Sequence, residues 1–402
     1  MPSPHPSDTR KLAVLMTVAF VDMVGLVMIV PLLPFYATDF GANATMVGIL
    51  ISAFSVAQLV SAPLWGRLSD TRGRRPAIIT GLLVSSGAYV IFGLAGSIVM
   101  LLLSRLIQGT GGGTIGVVQA YVADASRPED RAKALGWLSA VTSLGAVVGP
   151  ALGSVLSDLW GRHAPGFVSA GLCALVALFA RGYLEEPSHE RRTGLQPAIP
   201  RSSRAALLGV LRHDDATSRL IWLYTIAIGA FYGTVQIIPL LMAARFHVTE
   251  RNIGYFVMYL GGIGVVARAG ILGWMVDRFR EARLSQFGLV LLGAGLMTAA
   301  AARSYPVLFL SMTLMPLGTA FLFPCITGLL SRVVASHERG LYLGVQQTFG
   351  GVSRVAFPVG AGLLIDRWGT GTPFWISGAL VLLALGLTGR LGALVTPRVA
   401  PA

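Results

Sequence analysis

A single acidic residue lies deep in a long apolar stretch of this sequence. Asp22 follows the start of an apolar run at Leu12 by ten residues, within FVDMVGLVMIVPLLPFY. In a helix this distance places it about 15 Å into a membrane core about 30 Å thick. A carboxyl group there can bind a proton or a cationic or polar solute, so Asp22 is the candidate proton-coupling residue. A structural ion pair with an arginine is the alternative role.

Three arginines also lie inside apolar runs. Arg105, in LLLSRLIQG, is about 10 Å from the nearer membrane boundary, and a guanidinium at that depth must face protein or water. We therefore group Arg105 with Asp22 as a proton-coupling candidate, with packing alone as its alternative role. Arg354, in TFGGVSRVAFP, is a candidate for a substrate cavity. Arg268 lies close enough to the end of its run to snorkel towards water, which favours a structural role.

Polar and aromatic side chains inside the apolar runs supply further candidates for a substrate cavity. Such a cavity needs a few polar groups among apolar and aromatic walls. Together with Arg354, the candidates are Gln108, Gln119, Tyr232, Gln236, Tyr259, Gln346 and Phe349.

The composition indicates what surrounds these residues. Hydrophobic residues make up 54% of the 402 residues, charged residues make up 12%, and the mean hydropathy is +0.70. These values are typical of a membrane protein rather than of a soluble domain. The net charge of +13 arises from basic residues placed between apolar runs, without interleaved aromatics, so we expect no nucleic-acid partner.

Twelve apolar runs are long enough to span a bilayer, the last from Phe374 to Leu394. An even number places both termini on one side of the membrane. That side holds 23 of the 31 lysines and arginines, whereas the opposite side holds five. By the positive-inside rule both termini are predicted to be cytoplasmic, in a multi-pass protein of the cytoplasmic (inner) membrane.

The two halves of the chain resemble each other at an offset of 208 residues. The PLL motif at Pro31 matches that at Pro239, and Pro150 matches Pro358. Internal repeats of this kind are common among secondary transporters. The predicted fold is all-α, with twelve transmembrane helices in two pseudo-symmetric six-helix bundles.

The predicted domains follow from the longest interruption between apolar runs. It contains EEPSHERRTGLQPAIPRSSR, which has no amphipathic period and indicates a linker. The sequence therefore predicts a first half at 1–183, a cytoplasmic linker at 184–216 and a second half at 217–402.

The loop between the second and third runs carries a motif, GRLSDTRGRRP, starting at Gly66. Its glycines, Gly66 and Gly73, allow a tight turn, and Asp70 can offer a carboxylate to an exposed helix N-terminus. The arginines of the loop, Arg74 among them, hold it on the cytoplasmic side. The motif resembles the signature loop of the major facilitator superfamily, and GWMVDRFR, containing Asp277, is a weaker echo in the second half. The resemblance covers essentially the whole chain, and it implies that these five residues form a conformational latch.

The fourth and fifth runs resemble two further signatures of the same superfamily. An arginine followed by a glycine-rich helix, as at Arg105, is common in its proton-coupled members. The fifth run, GWLSAVTSLGAVVGPALGS, resembles its antiporter signature, carried here by Gly145, Gly149, Pro150 and Gly153. Close packing of helices through small residues is the alternative role of these glycines.

The first helix resembles that of tetracycline and multidrug efflux proteins in the twelve-helix drug:proton antiporter branch. This resemblance implies export of small amphipathic compounds by proton antiport through alternating access. Proton-coupled import of a sugar, an organic acid or another small metabolite is the alternative. The expected partners are a small-molecule substrate, protons and the lipid bilayer, with the protein acting as a monomer.

The histidines all lie in tails, loops or ends of runs, and no metal-ligand spacing occurs. We therefore expect no enzyme activity, no metal and no cofactor.

Overall fold

The computed structural model describes residues 6–126, 130–184, 186, 203–212 and 215–388. Every regular element in these ranges is a helix. A helix satisfies its backbone hydrogen bonds internally, as a bilayer requires. Most of these helices are also long and apolar. The all-α prediction is confirmed. The chain divides into two compact units.

The first unit comprises Met1–Gln196 together with His247–Gly261. Its eight complete helices are α1 Pro6–Ile29, α2 Leu33–Asp39, α3 Ala44–Arg72, α4 Arg74–Gly93, α5 Ile98–Gly112, α6 Ile115–Ala125, α7 Arg131–Trp160 and α8 Ala164–Tyr183. Within it α1 packs against α7 and α8, and α4 packs against α5 and α8.

The segment His247–Gly261 is held in the first unit by hydrogen bonds and ion pairs. Ser154 donates to the carbonyl oxygen of Glu250 at 2.7 Å, and the Arg162 guanidinium lies 3.2 Å from the Glu250 carboxylate. Arg162 also bonds Asp39. Although partial burial of Arg162 opposes its charge, its hydrogen bonds to Asp39 and the nearby Glu250 carboxylate raise its pKa.

The second unit comprises Pro197–Phe246 and Gly262–Ala402. Its helices are α9 Ser203–Arg212, α10 Ala216–Val235, α11 Ile238–Phe246, the end of α12 Ile253–Val266, α13 Leu272–Phe279, α14 Glu281–Ala301, α15 Tyr305–Val333, α16 Arg339–Trp368 and α17 Thr372–Leu383. A π-helical turn, Ala267–Ile271, joins α12 to α13 and carries Arg268, and a 3₁₀ turn, Ala384–Thr388, follows α17.

The repeated prolines mark equivalent breaks in the two units. Pro31 lies between α1 and α2, and Pro239 is in the first turn of α11. Proline has no backbone N–H to donate, so the hydrogen-bond ladder is interrupted at both places. The axes of α10 and α11 meet at 42°.

Within the described residues, ten helices or helix pairs are long and apolar enough to cross a membrane, and the bent pair α10 and α11 gives an eleventh. The apolar helix Thr372–Thr388 is shorter, and the predicted twelfth span continues from it into residues outside the described part. Most of the predicted linker also lies outside that part, but its end contains α9, a helix that the sequence analysis did not predict.

Candidate functional site

A cavity of about 710 Å³ lies inside the first unit, between α1, α4, α6 and α7. Most of its lining residues are apolar, including Val18, Ile78, Leu82, Val118 and Leu138. Its polar lining residues are Asp22, Thr114, Gln119, Ser139 and Thr142. A cavity of this size with apolar walls and a few polar groups suits a small amphipathic molecule.

Two residues predicted from the sequence meet at this cavity. Asp22 is half-buried on α1, and Gln119 is exposed towards it on α6. Among the described residues Asp22 forms no ion pair, so the alternative of a structural pair with an arginine has no support there. Arg105 and Gln108 do not line the cavity.

The glycines of the fifth run hold α7 tightly against α1, the helix that carries Asp22. A side chain on any of them would meet a backbone carbonyl oxygen of α1: a Cβ atom at Gly145 or Gly149 would lie 2.9 Å from that oxygen, and one at Gly153 would lie closer still. The pairs are Gly145 with Phe20, Gly149 with Val24, and Gly153 with Met28. Residues four apart face the same side of a helix, so the motif forms a continuous contact surface. Next to it, the carbonyl group of Pro150 packs directly against Gly254.

Gly25 accommodates a tyrosine on another face of α1. A Cβ atom there would lie 3.3 Å from Cε2 of Tyr89, on α4. Tyr89 is 2% exposed, and its hydroxyl lies near Asp22 as well as near Gln108 and Arg105. Tyr89 is therefore a common neighbour of Asp22 and Arg105, the two proton-coupling candidates. Within the described part of the chain, these two residues do not form an ion pair with each other.

Arg105 is completely enclosed by the first unit, with 1% of its surface exposed. Its guanidinium donates a hydrogen bond to Oε1 of Gln108 and lies 4.7 Å from the centre of the Phe54 ring. Its Nε has no hydrogen-bond partner among the described atoms. A buried cation held by an amide and an aromatic face keeps its charge without a neighbouring acid.

In the second unit, α10 and α16 bring together three further candidates. The Arg354 guanidinium lies 5.1 Å from the centre of the Tyr232 ring. Phe349 packs edge-on against Trp222, with ring centres 5.5 Å apart. These contacts depend on glycines of α10, because a Cβ atom at Gly233 would lie 2.6 Å from Cβ of Phe357.

Three further cavity candidates lie on α16, at the end of α10 and on α12. Gln346 is completely buried and its amide nitrogen is 3.5 Å from Oγ1 of Thr327. Gln236 ends α10 at the break before α11. Tyr259 is half-buried on α12, in the part of that helix that belongs to the first unit.

The signature loop between α3 and α4 is held by a network of charges. Arg74 bonds Asp70 at 2.9 Å and Asp124 at 3.1 Å. Asp70 is 67% exposed and Asp124 is 20% exposed, so the pair with Asp124 is the less screened of the two. Gly73 adopts φ = 108°, a conformation that favours glycine, and Gly66 lies one helical turn before Asp70.

A carboxylate from the end of α8 caps the helix that follows this loop. Oε1 of Glu186 accepts a hydrogen bond from the backbone N–H of Arg74 at 2.6 Å, and Oε2 accepts one from Arg75 at 2.9 Å. These N–H groups belong to the first turn of α4, where a negative charge is favourable. Asp70, the carboxylate that the sequence offered for a helix N-terminus, pairs with the Arg74 side chain instead.

The echo of this loop in the second unit is more open. Asp277 is exposed on α13, and Arg280 adopts φ = 61° between α13 and α14. Glu281 pairs with Arg332 at 3.0 Å. The two loops therefore share a turn with positive φ, but they differ in their charged contacts.

Four residues of the site were not predicted from the sequence: Tyr89, Phe54, Asp124 and Glu186. Asp124 and Glu186 are acids at the ends of apolar runs, and that position was a usable signal for a helix-end contact. An aromatic residue inside an apolar run is ordinary, so no signal distinguished Tyr89 and Phe54.

Comparison with known proteins identifies the family. Residues 15–284 and 269–401 match the model of the Major Facilitator Superfamily. The chain belongs to the Major Facilitator Superfamily. Multidrug resistance protein 2 of Bacillus subtilis (strain 168) is 29% identical to it over 385 residues, which cover 93% of each chain. Tetracycline resistance protein, class G, of Vibrio anguillarum is 28% identical over 377 residues, covering 90% of this chain and 92% of the relative.

The fold agrees with solved structures of the superfamily. A bacterial homolog of the human lysosomal transporter Spinster, in an inward-facing and occupied conformation, has a TM-score of 0.81 at 15% identity and covers 97% of this chain. Membership in the superfamily confirms the predicted fold class and makes the protein a multi-pass membrane transporter, not an enzyme.

Proposed function

We propose that this protein exports small amphipathic compounds from the cell in exchange for protons, by alternating access. The observation that carries the proposal is Asp22, a carboxylate in the second half of α1 that lines a largely apolar cavity of about 710 Å³. Protonation of this group and occupation of the cavity by a substrate are then competing events at one place, which is the minimum requirement for exchange. The names of the multidrug and tetracycline resistance relatives support export.

Arg105 and Tyr89 are proposed to tune this exchange. The Tyr89 hydroxyl lies near both Asp22 and Arg105, so its dipole can respond to a change of charge at Asp22. Gly145, Gly149, Pro150 and Gly153 are proposed to fix the position of α1 relative to α7. Gly66, Asp70, Gly73, Arg74 and Asp277 are proposed to act as the conformational latch.

We further propose that the protein is a monomer of the cytoplasmic membrane with both termini in the cytoplasm. The proposed divisions are 1–183, a linker at 184–216, and 217–402. The distribution of 23 basic residues against five supports the orientation.

Transport by purified protein in liposomes tests the role of Asp22. Wild-type protein should move ethidium against its gradient when a pH gradient is imposed, and Asp22→Asn should abolish this movement. Ser139→Ala is the matched control, because Ser139 lines the same cavity but carries no charge. Wild-type rates in Asp22→Asn would remove Asp22 from the coupling.

The direction of transport is tested in intact cells. Collapse of the proton gradient should raise the accumulation of ethidium in cells that produce the protein, and should change it less in cells with Asp22→Asn. A fall in accumulation would instead indicate import.

A further inference from the structure

Arg354 of the second unit differs from the other arginines within that unit's apolar helices in what surrounds it. Arg245 donates to the carbonyl oxygens of Ala300 at 2.7 Å and Ala302 at 3.1 Å, so it closes the end of α14. Arg268 is exposed on the π-helical turn. Arg354 has neither a carbonyl nor a carboxylate as a hydrogen-bond partner in the described part of the chain, and its Nε is buried without one.

Aromatic side chains flank this guanidinium instead. The Tyr232 ring lies 5.1 Å from it, and the Tyr224 hydroxyl interacts with both Arg354 and Gln347. Gly350 makes room for Tyr224, because a Cβ atom at Gly350 would lie 2.8 Å from Cε1 of that ring. The arrangement is therefore built by close packing of α10 against α16.

The Arg354 side chain is also partly exposed, although its Nε is enclosed. Arg354 is half-buried, and the Tyr232 ring that covers it is 38% exposed. A guanidinium carries five N–H donors in a planar fork that matches a carboxylate, and a donor left without a partner in a buried site is costly. An incoming anion satisfies these donors, and an aromatic body beside the anion can stack on the exposed tyrosine.

We propose that Arg354, with Tyr232 and Tyr224, binds the carboxylate of an aromatic acid. This inference goes beyond the proposed function, on which it rests, by adding a ligand class for the second unit: amphipathic compounds that carry a carboxylate on an aromatic ring system. A single guanidinium between two tyrosines favours a flat monoanion over a phosphate group, which is usually bound by several cations or backbone N–H groups.

Binding of a matched pair of ligands to the purified protein tests the proposal. The pair is a 4-quinolone-3-carboxylic acid without a basic substituent and its methyl ester, measured by equilibrium dialysis above the pKa of the acid. Wild-type protein should bind the acid about tenfold more tightly than the ester, as a charge-assisted hydrogen bond provides.

Variants separate recognition from folding. Arg354→Gln should reduce the affinity for the acid to that for the ester and leave ester binding unchanged, which shows that the protein is folded. Arg354→Lys should fall between, because lysine keeps the charge but loses the planar fork. Arg268→Gln is the control and should behave as wild type.

Three outcomes would overturn the proposal. They are equal affinities of wild-type protein for acid and ester, equal loss of both in Arg354→Gln, and displacement of the acid by phosphatidylglycerol but not by phosphatidylcholine in mixed micelles. The last would assign the guanidinium to a lipid phosphate. Asp22→Asn should keep the preference for the acid over the ester. Failure of the transport test at Asp22 can therefore be told apart from failure of the binding test at Arg354.

Discussion

Equivalent pairs of helices pack closely in both units, but the glycines that allow this lie on opposite members of the pair. In the first unit the glycines are on α7, and they press against the backbone of α1 near Val24. In the second unit the glycines are on α10, and Phe357 of α16 fills the space that Gly229 and Gly233 leave. Phe357 stands at the position equivalent to Gly149. The repeat therefore preserves the pair of helices that are in contact. It does not preserve the helix of that pair that supplies the small residues.

The two units also differ in the charged residues inside their apolar helices. The first unit carries a carboxylate on its first helix, Asp22, whereas the second carries a guanidinium on α16, Arg354. The equivalent positions in the opposite unit, Ala230 and Ala146, are uncharged. Duplication thus supplied two frameworks of the same shape, and the groups capable of binding ions diverged within them.

The largest loss of stability is expected when Gly149 of the first unit is replaced by phenylalanine, the residue at the equivalent position 357 of the second unit. Gly149→Phe should prevent stable assembly, with a loss above about 3 kcal/mol, because its Cβ alone meets the Val24 carbonyl and the ring has no space. Gly136→Phe on the same helix is the control, since nothing lies within 4 Å of a Cβ atom there. The yield of monodisperse protein and its melting temperature measure the difference.

A double substitution sharpens this test. Val21 is equivalent to Gly229, so Val21→Gly combined with Gly149→Phe recreates the arrangement of the second unit. It should restore part of the stability lost in the single variant. No recovery would show that the two interfaces differ in backbone separation as well as in side chains.

An intermediate effect is expected from emptying the interface of the second unit. Phe357→Ala should lower stability by about 2 kcal/mol, less than for a fully buried phenylalanine, because Phe357 is half-buried. Val352→Ala on the same helix is the control, since Val352 is exposed. Equal melting temperatures of the two variants would contradict a packing role for Phe357.

The smallest effect concerns the turns with positive φ. Arg280→Gly should raise stability by up to about 1 kcal/mol, since a non-glycine residue is strained at φ = 61°. The same position in the first unit is Gly73, and Gly73→Ala should lower stability by a similar amount or more, because its Cβ also meets the Glu186 carboxylate. Thermal unfolding in detergent compares the two, and a gain in both variants would refute this explanation.

The fold was predictable because its signals are strong and local. Length and hydropathy identify the spans, and Pro31 and Pro239 mark equivalent breaks in both units. The candidate site was predictable in part. Asp22 was identified because an acid is costly in an apolar helix, whereas the association of Tyr89 with Asp22 depends on how α4 packs against α1 and has no local signature.

The assignment of the capping carboxylate shows the same limit. Asp70 and Glu186 are both near helix ends, but only the return of the chain at α8 brings Glu186 to the first turn of α4. Similarly, Arg354 and Gln346 lie eight residues apart on α16, and both were predicted to line a cavity. Burial separates them, since Gln346 is completely enclosed and Arg354 is not.

The contacts on two faces of α1 restrict how this transporter can diversify. The glycines of α7 contact one face of the helix and Tyr89 contacts another, so Asp22 cannot be moved to suit a differently shaped solute without rebuilding two interfaces. Side chains such as Gln119 and Thr142 line the same space without carrying either interface. Under selection by a new toxic compound, we expect adaptive substitutions to accumulate at these lining positions, while α1 itself stays almost unchanged.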